Sequence, residues 1–493
     1  MKARFTLIAL LAVIVMALGA CAQPTPQVVV QTVQVEKIVE KIVEKPVEKI
    51  VEKPVEKIVE KQVTVAVPAT PVPAKKIVSW FQYDQGNVDP KADEKVGNEY
   101  LRKNIPVFNK EYEGKLAWDN QYTPFDKVSS KLIAGVMAKA DVPDLVEIGG
   151  STVGILNKNG AIQDLTEWAK AQKWYAEMDP SALKICTTPD GKLLCIPTAN
   201  RPSQVFVWKD RFPNGFPKTM DEWLKEGERL KKEGKYAMTM FGSTAFNGDG
   251  ANRAIFQIVS SFGGGYDDGN GKIKVNTPEN VAAVAWLREM VQRGYVPEIA
   301  FAGGFQEEQA FMDSSAGAIP TGLFGYRYMN PLTAPSGKKY EKKNQDDVLD
   351  AIAAGDIYLA PMPAAEGKKP GCGTGVAAVA IPTGAKNPEG AKEFINWTLS
   401  PAHNPAYVVG PGGGLPVLKS ISALPEFQTA FYKQAVAVQA ASDCKVGWPS
   451  VVNTTGAQTA IMNAIYKLIK TDPKADIATE LQKAQDEFNK TVK

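Results

Sequence analysis

Catalytic chemistry has few places to reside in this sequence. The 493 residues include one histidine, His403, which excludes a His-rich zinc site and leaves a single imidazole as a conceivable base. It lies in Ser400-Pro401-Ala402-His403-Asn404-Pro405, a helix-to-loop exit where a solvated ring is expected. Gly149-Gly150-Ser151-Thr152-Val153 departs from a nucleophile elbow because Val153 stands where the closing glycine belongs. Phe262-Gly263-Gly264-Gly265-Tyr266 lacks the Gly-Lys-Ser/Thr ending of a phosphate loop, and Gly373-Thr374-Gly375 lacks a third glycine in place, so neither supports a nucleotide. Asp268 and Glu279 bracket a window of calcium-loop length, but Lys272 and Ile273 occupy positions that need an oxygen ligand and a glycine. No acid spacing singles out a glycosidase pair. The expectation is a protein with no catalytic residue, no metal and no cofactor.

Elements that could position a binding site are easier to read. Ile77 to Phe81 is a short apolar strand, 93–112 a helix, Lys115 to Asp119 a strand, Phe125 to Ala138 a helix and Asp144 to Ile148 a buried strand. This β-α-β-α-β order predicts a parallel sheet flanked by helices. Thr219-Met220-Asp221-Glu222 is a capping box opening a helix to Lys232. Pro278 to Arg293, Pro388 to Leu399 and Ala457 to Ile469 predict three more helices. The length implies two compact cores rather than one.

The first 75 residues are of a different kind. Lys2 and Arg4 precede an apolar run, Leu7 to Leu18, that reads as an export signal at 1–20 and is too short for a permanent span. Leu18-Gly19-Ala20-Cys21 resembles the bacterial lipobox, which implies acylation of Cys21 and anchoring to the outer face of the cytoplasmic membrane. The alternative is an ordinary secretory signal with a chance cysteine. Val35 to Gln62 repeats Val-Glu-Lys followed by Ile, Pro or Gln, with Pro46 and Pro54 interrupting any helix. Residues 21–75 therefore read as a charged stalk, reaching about 170 Å if fully extended, with a coiled-coil stem as the alternative. The net charge of +3 resides in this segment, whose ten basic and seven acidic residues leave 47 of each sign for 76–493. An electrically neutral body argues against nucleic acid as a partner.

An exported chain meets an oxidising compartment, so the other cysteines invite pairing. Cys186 and Cys195 flank a turn sequence, Thr187 to Lys192, and a disulfide closing a hairpin is expected there. Cys372 with Cys444 follows by elimination; four free buried thiols are the alternative.

From residue 76 onward the sequence resembles the extracellular solute-binding proteins that feed ABC importers, in the branch that includes maltose-binding protein. The segments carrying the resemblance run in order: Pro143 to Val146, Gly160 to Thr166, Asp190-Gly191-Lys192 through Ile196-Pro197, Val207 to Asp210, Pro217 to Trp223, Phe311-Met312 with Gly317-Ala318-Ile319, Ala360 to Pro363, Ala378 to Pro382, and Asn387 to Ile395. The resemblance implies an α/β two-lobe periplasmic-binding-protein fold of type II, with three hinge crossings and a ligand cleft between the lobes. Carried over by position, the lobes would be 76–198 with 320–380, and 199–319 with 381–493. The implied partners are a small solute, a mono- or oligosaccharide above all, and the permease subunits of an importer. A polysaccharide-processing enzyme on a similar scaffold is the alternative.

Cleft residues should stand at strand ends and crossings. That logic nominates Trp80, Tyr83 and Asp84 after the first strand, Ser151 and Thr152 after the third, and Asn200 and Arg201 at the first crossing. Asn247 and Asp249 join them from the polar loop 246–252, with Phe324 and Tyr326 after the second crossing and Trp448 after Cys444. Aromatic rings stack on the apolar face of a sugar while carboxylate, amide and guanidinium groups take its hydroxyls. Gly322-Leu323-Phe324-Gly325-Tyr326 departs from the Gly-Pro-Trp-Ala of the maltose binders, which argues against maltose-like specificity. Trp168, Trp174, Trp223, Trp286 and Trp397 fall in helical stretches and are expected to pack internally.

Overall fold

A computed structural model describes residues 74–84, 95–449 and 451–492. The expected export signal, Cys21 and nearly all of the stalk lie outside these residues. Among those described are twelve strands: β1 (Lys75–Phe81), β2 (Leu116–Tyr122), β3 (Leu145–Gly149), β4 (Ile196–Asn200), β5 (Ser203–Trp208), β6 (Ala318–Gly322), β7 (Leu332–Thr333), β8 (Lys339–Tyr340), β9 (Ile357–Ala360), β10 (Gly371–Gly373), β11 (Val376–Ala380) and β12 (Asp443–Lys445).

The first lobe is built on a five-stranded sheet ordered β2-β1-β3-β11-β4. β1 pairs in parallel with β2 and β3, and the helices Lys95–Glu111 and Phe125–Met137 supply the crossovers such pairing demands. The sheet is mixed rather than wholly parallel, because β11 runs antiparallel to both β3 and β4. The direction follows from connectivity: β4 leaves this sheet for the second lobe, and β11 returns through the same end two residues after β10. Asp144, buried at the mouth of β3, accepts from the Val78 and Asn387 amides and so ties β1 to the helix Pro388–Thr398. That helix lays Phe394 against Trp118, with ring centroids 4.6 Å apart. Each such fully buried ring contributes about 1.5–3 kcal/mol.

The second lobe holds the antiparallel sheet β6-β5-β9. Its core gathers Trp223, Trp286, Phe256, Tyr266 and Leu468, and the capping box is formed, with Thr219 and Glu222 exchanging hydrogen bonds with each other's backbone N–H. Of the five helical tryptophans, Trp223, Trp286 and Trp397 are buried; Trp168 and Trp174 pack edge to face on one another.

These pairings redraw the lobes expected from sequence. β9 and the end of β6 from Pro320 on, placed with the first lobe by position, pair with β5 in the second sheet. The segment after residue 380, placed with the second lobe, instead sends Pro388–Thr398 against β1. The chain crosses at Asn200–Ser203 and at Gly373–Val376, then again after Ser422, since the helix Ala430–Ala441 already packs on β5 and β9. An apolar strand run tells that a strand exists but not which sheet receives it.

Two disulfides are present, Cys186–Cys195 and Cys372–Cys444. The second joins directly opposed residues of the parallel pair β10–β12. His403 is half-buried rather than free in solvent: its ring stacks on Trp397 at 4.1 Å, and its Nε2 lies 3.1 Å from Glu111 Oε2.

Candidate interlobe site

The C-terminal ends of β1, β3 and β4 point the same way, and the register sets Gly149 opposite Ala377 and Asn200 opposite Val376. Residues just beyond these ends face the second lobe. The first two crossings lie side by side, tied by the Arg201 amide donating to Gly375 O (2.8 Å) and Thr374 Oγ1 donating to Asn200 Oδ1 (3.2 Å).

Against this junction sits the end of a helical run, Asn404–Tyr407 continuing into Val408–Gly412. Its last carbonyls have no partner further along the helix and turn outward. Tyr326 Oη donates to Val409 O, Arg327 Nη1 to Gly410 O (2.8 Å), Arg201 Nη2 and Tyr83 Oη to Pro411 O (2.7 and 3.1 Å), and Arg201 Nε to Gly412 O (2.6 Å). Two guanidinium groups thus satisfy the carbonyls that turn outward where the run kinks at Gly410. Gly413 ends it in the left-handed region at φ 55°, where a β-carbon would stand 2.6 Å from Arg327 Cζ. Gly414 lets the chain approach Asn200 O, 2.2 Å from where its own β-carbon would be. Because Tyr326 and Arg327 follow β6 of the second lobe, these bonds join the lobes.

Beyond Arg201 lies Phe324, in the 3-10 turn Leu323–Arg327 after β6. Two guanidinium groups flank its ring, with Cζ of Arg253 at 5.0 Å and Cζ of Arg201 at 5.7 Å from the centroid. Arg253 also stands 4.3 Å from the Phe241 ring and donates to Asp249 (2.5 Å). Burial works against its charge, but Asp249 and Glu308 outweigh that and hold it protonated. It comes from a π-helical turn, Ala251–Ile255, whose extra residue per turn is a common device for re-aiming a functional side chain. Its Nη1 is buried with no hydrogen-bond partner among the described residues. Tyr328 completes the rim, edge-on to Phe324 and accepting from Arg327 Nη2. The cluster offers an aromatic face, an orphaned donor and a carboxylate, which suits a flat polyhydroxylated ring.

Of the nominated residues, this cluster unites Tyr83, Arg201, Asp249 and Phe324. Tyr326 is adjacent, but its ring turns into the core against Phe431. Asn200 is buried in the crossing and serves Thr374. Trp80 stands at the β1–β2 edge, its Nε1 donating to Gln121 and Lys131 lying 3.8 Å over its ring. The Asp84 backbone N–H donates to Asn98 Oδ1 on the first-lobe helix. Thr152 bonds back to Gly149 O, and Ser151 O accepts from Thr454 of the second lobe. Asn247 is exposed on a left-handed turn at φ 56°, while Trp448 packs into the second core against Tyr266. Sequence reasoning missed Arg253, Arg327 and Tyr328. Arg253 follows Asp249 by four residues, the spacing of a helical ion pair, and Gly410 to Gly414 is a glycine-rich run that marked a close backbone approach. A concavity of about 560 Å³ whose lining includes Asn276, Ala478, Gln482, Lys483 and Asp486 shares no residue with the cluster.

Two α/β lobes, three crossings and a polar-aromatic cluster at their junction define a two-lobe binding fold. The chain matches the bacterial extracellular solute-binding proteins over residues 106–440 and belongs to that family. It is 24% identical over 302 residues to an arabinooligosaccharide-binding protein of Bacillus subtilis, the match covering 59% of this chain and 64% of the relative. The chain therefore spans just under two thirds of that protein's length. Among solved structures, maltose-bound MalE3 of T. maritima superposes with a TM-score of 0.67 at 16% identity, covering 85% of this chain and all of the other. A tagatose-bound solute-binding protein of Thermotoga lettingae gives 0.68 at 17%, covering 85% and 99%.

Proposed function

We propose that this protein captures a small saccharide between its lobes and delivers it to the permease of an ABC importer, without converting it. The observation that carries the reading is the Phe324 ring with the Arg201 and Arg253 guanidinium groups 5.7 and 5.0 Å from its centroid, and an unpartnered Arg253 nitrogen, at the point where the chain crosses between lobes. A sugar touching both sides stabilises the closed arrangement in proportion to its preference for it. The sugar ligands of the relatives named above support the solute class. The test is a thermal-shift panel of sugars, polyols, peptides and polyamines on the full chain. A saccharide that raises the melting temperature, and is recovered intact, supports the reading; no shift with any solute sinks it, and turnover of a glycan replaces it with the enzyme alternative.

We further propose that Cys21 is acylated and that 21–75 tethers the body to the membrane surface. Labelled palmitate should enter the protein in cells and be lost in Cys21→Ala; equal labelling of the two would exclude this anchor.

A further inference from the structure

Arg201 is a half-buried cation at the first crossing, and among the described residues no carboxylate lies within ion-pair reach of it. Its Nε and Nη2 donate to the carbonyls of Gly412 and Pro411, at 2.6 and 2.7 Å, which occupies one edge of the guanidinium fork. Nη1, on the other edge, makes no hydrogen bond among the described residues. Backbone carbonyls accept its protons but do not neutralise its charge.

The second guanidinium near the Phe324 ring is arranged differently. Arg253 Nε donates to Asp249 Oδ2 at 2.5 Å, and Glu308 adds to the field that keeps the group protonated despite burial. Its charge is therefore answered, but its Nη1 is buried without a hydrogen-bond partner. Arg327 brings a third positive charge to the junction, surrounded by the carbonyls of Gly410 and Pro411 and the hydroxyls of Tyr83 and Tyr328. The nearby acids are already engaged: Asp249 holds Arg253, and Glu307 accepts from Ser243 Oγ at 3.0 Å. Phe324 and Tyr328 are half-exposed, so the cluster is not sealed from solvent.

Two unused guanidinium nitrogens thus stand near one ring, and one of the two groups lacks a counter-charge. A sugar hydroxyl could accept from either nitrogen but would leave the Arg201 charge uncompensated. A carboxylate does both, because its two oxygens match the fork of a guanidinium and its charge strengthens each bond.

We propose that the solute is a sugar acid, a saccharide whose carboxylate is taken by Arg201 and Arg253 while its hydroxylated ring occupies the cluster. This rests on the saccharide-receptor reading and narrows its substrate class from neutral to anionic sugars. Attraction at a half-buried site of this sign also makes capture sensitive to ionic strength.

The test is calorimetric titration of the full chain with glucose, galactose and mannose, as monomers and linear trisaccharides, each beside its uronic-acid counterpart, and with glucose 6-phosphate. In about 0.02 M salt at least one uronate should bind about tenfold or more tightly than its neutral parent, and about 0.5 M salt should shrink that ratio. Arg201→Gln should cut the ratio about fivefold or more. Arg253→Lys, which keeps the charge but not the fork, should cut it about threefold. The wild-type ratio and its salt dependence remain decisive even where a variant unfolds. A neutral sugar bound as tightly as its uronate, a ratio unmoved by salt or by Arg201→Gln, or glucose 6-phosphate bound more tightly than every uronate overturns the inference and leaves the receptor reading intact. A chain that binds no saccharide, neutral or acidic, overturns both.

Discussion

Gly322→Ala isolates the position of one ring. Gly322 has φ −64° and ψ 151°, ordinary for alanine, so the substitution introduces no backbone strain. Its new β-carbon would stand 2.2 Å from Phe324 Cε1 and 2.7 Å from Cδ1, against a comfortable separation of about 3.5–4 Å. The ring edge must therefore retreat by more than about 1 Å, away from the two guanidinium groups now 5.0 and 5.7 Å from its centre. Each such contact is worth about 0.5–2 kcal/mol depending on desolvation, so losing both costs roughly 1–4 kcal/mol in the ligand-free protein. If Phe324 is the platform for the solute, affinity should fall roughly tenfold to a hundredfold. Calorimetric titration with the sugar found by thermal shift, on Gly322→Ala, Phe324→Ala and the double variant, closes a cycle. In the Phe324→Ala background the glycine substitution should have almost no further effect on affinity. Wild-type binding by Gly322→Ala, or an equal loss in both backgrounds, would refute the assignment of Phe324 as the platform.

Other perturbations test the parts that hold the site. Arg201→Ala strips the bonds to Pro411 O and Gly412 O and should lower stability to urea by roughly 2–3 kcal/mol as well as weakening binding; loss of binding with unchanged stability would show that the cap contributes nothing to the fold. The Cys372–Cys444 bridge closes a 72-residue separation and Cys186–Cys195 one of 9, so in the chain-entropy model paired Ser substitutions cost about 4.4 and 2.7 kcal/mol; equal costs, or the reverse order, in urea unfolding would contradict that account. Bonds from the Lys218 and Thr219 amides hold Glu222 below the usual carboxylate range, and bonds from Thr479 do the same for Asp476. Their stabilisation is complete above the unfolded value of about 4 and is lost as pH falls through the lower folded values. Glu222→Gln should flatten the acid side of the melting curve, and an unchanged acid limb would show that this cap carries none of the dependence.

Much of the local structure was legible because it rests on local physics. The helix starting at Met220 is announced by Thr219 and Glu222, whose side chains complete the first turn by themselves. The helix from Pro388 is announced by Asn387, whose side chain accepts from the Gly390 amide. The cluster was legible where a residue stood just past a strand end or, for Asp249, in a polar loop. Arg201 directly follows β4, and Phe324 stands two residues past the end of β6. Arg253 lies inside a helical stretch, and only the π-helical turn aims it at Phe324. The carbonyls of 409–412 are backbone atoms, and no side-chain pattern marks an acceptor row.

The misplaced lobe boundary has the same origin and carries a consequence for the hinge. Two crossings expected near 320 and 380 occur instead at 373–376 and after Ser422, so the chain enters the first lobe late and for a short excursion. Cys372 stands immediately before that excursion and Cys444 after the helix that follows the return. Their bridge fastens the outgoing and returning chain in register on the second lobe. Arg201, on the neighbouring crossing, grips the far end of the excursion through Pro411 and Gly412. These fixed points predict that motion between the lobes is confined to Arg201-Pro202, Thr374-Gly375 and 423–429. A change of dihedrals in short element-terminal segments is what hinged closure requires. Opening the Cys372–Cys444 bridge in the folded protein should loosen one of the three segments and weaken solute binding more than opening Cys186–Cys195, which encloses no crossing.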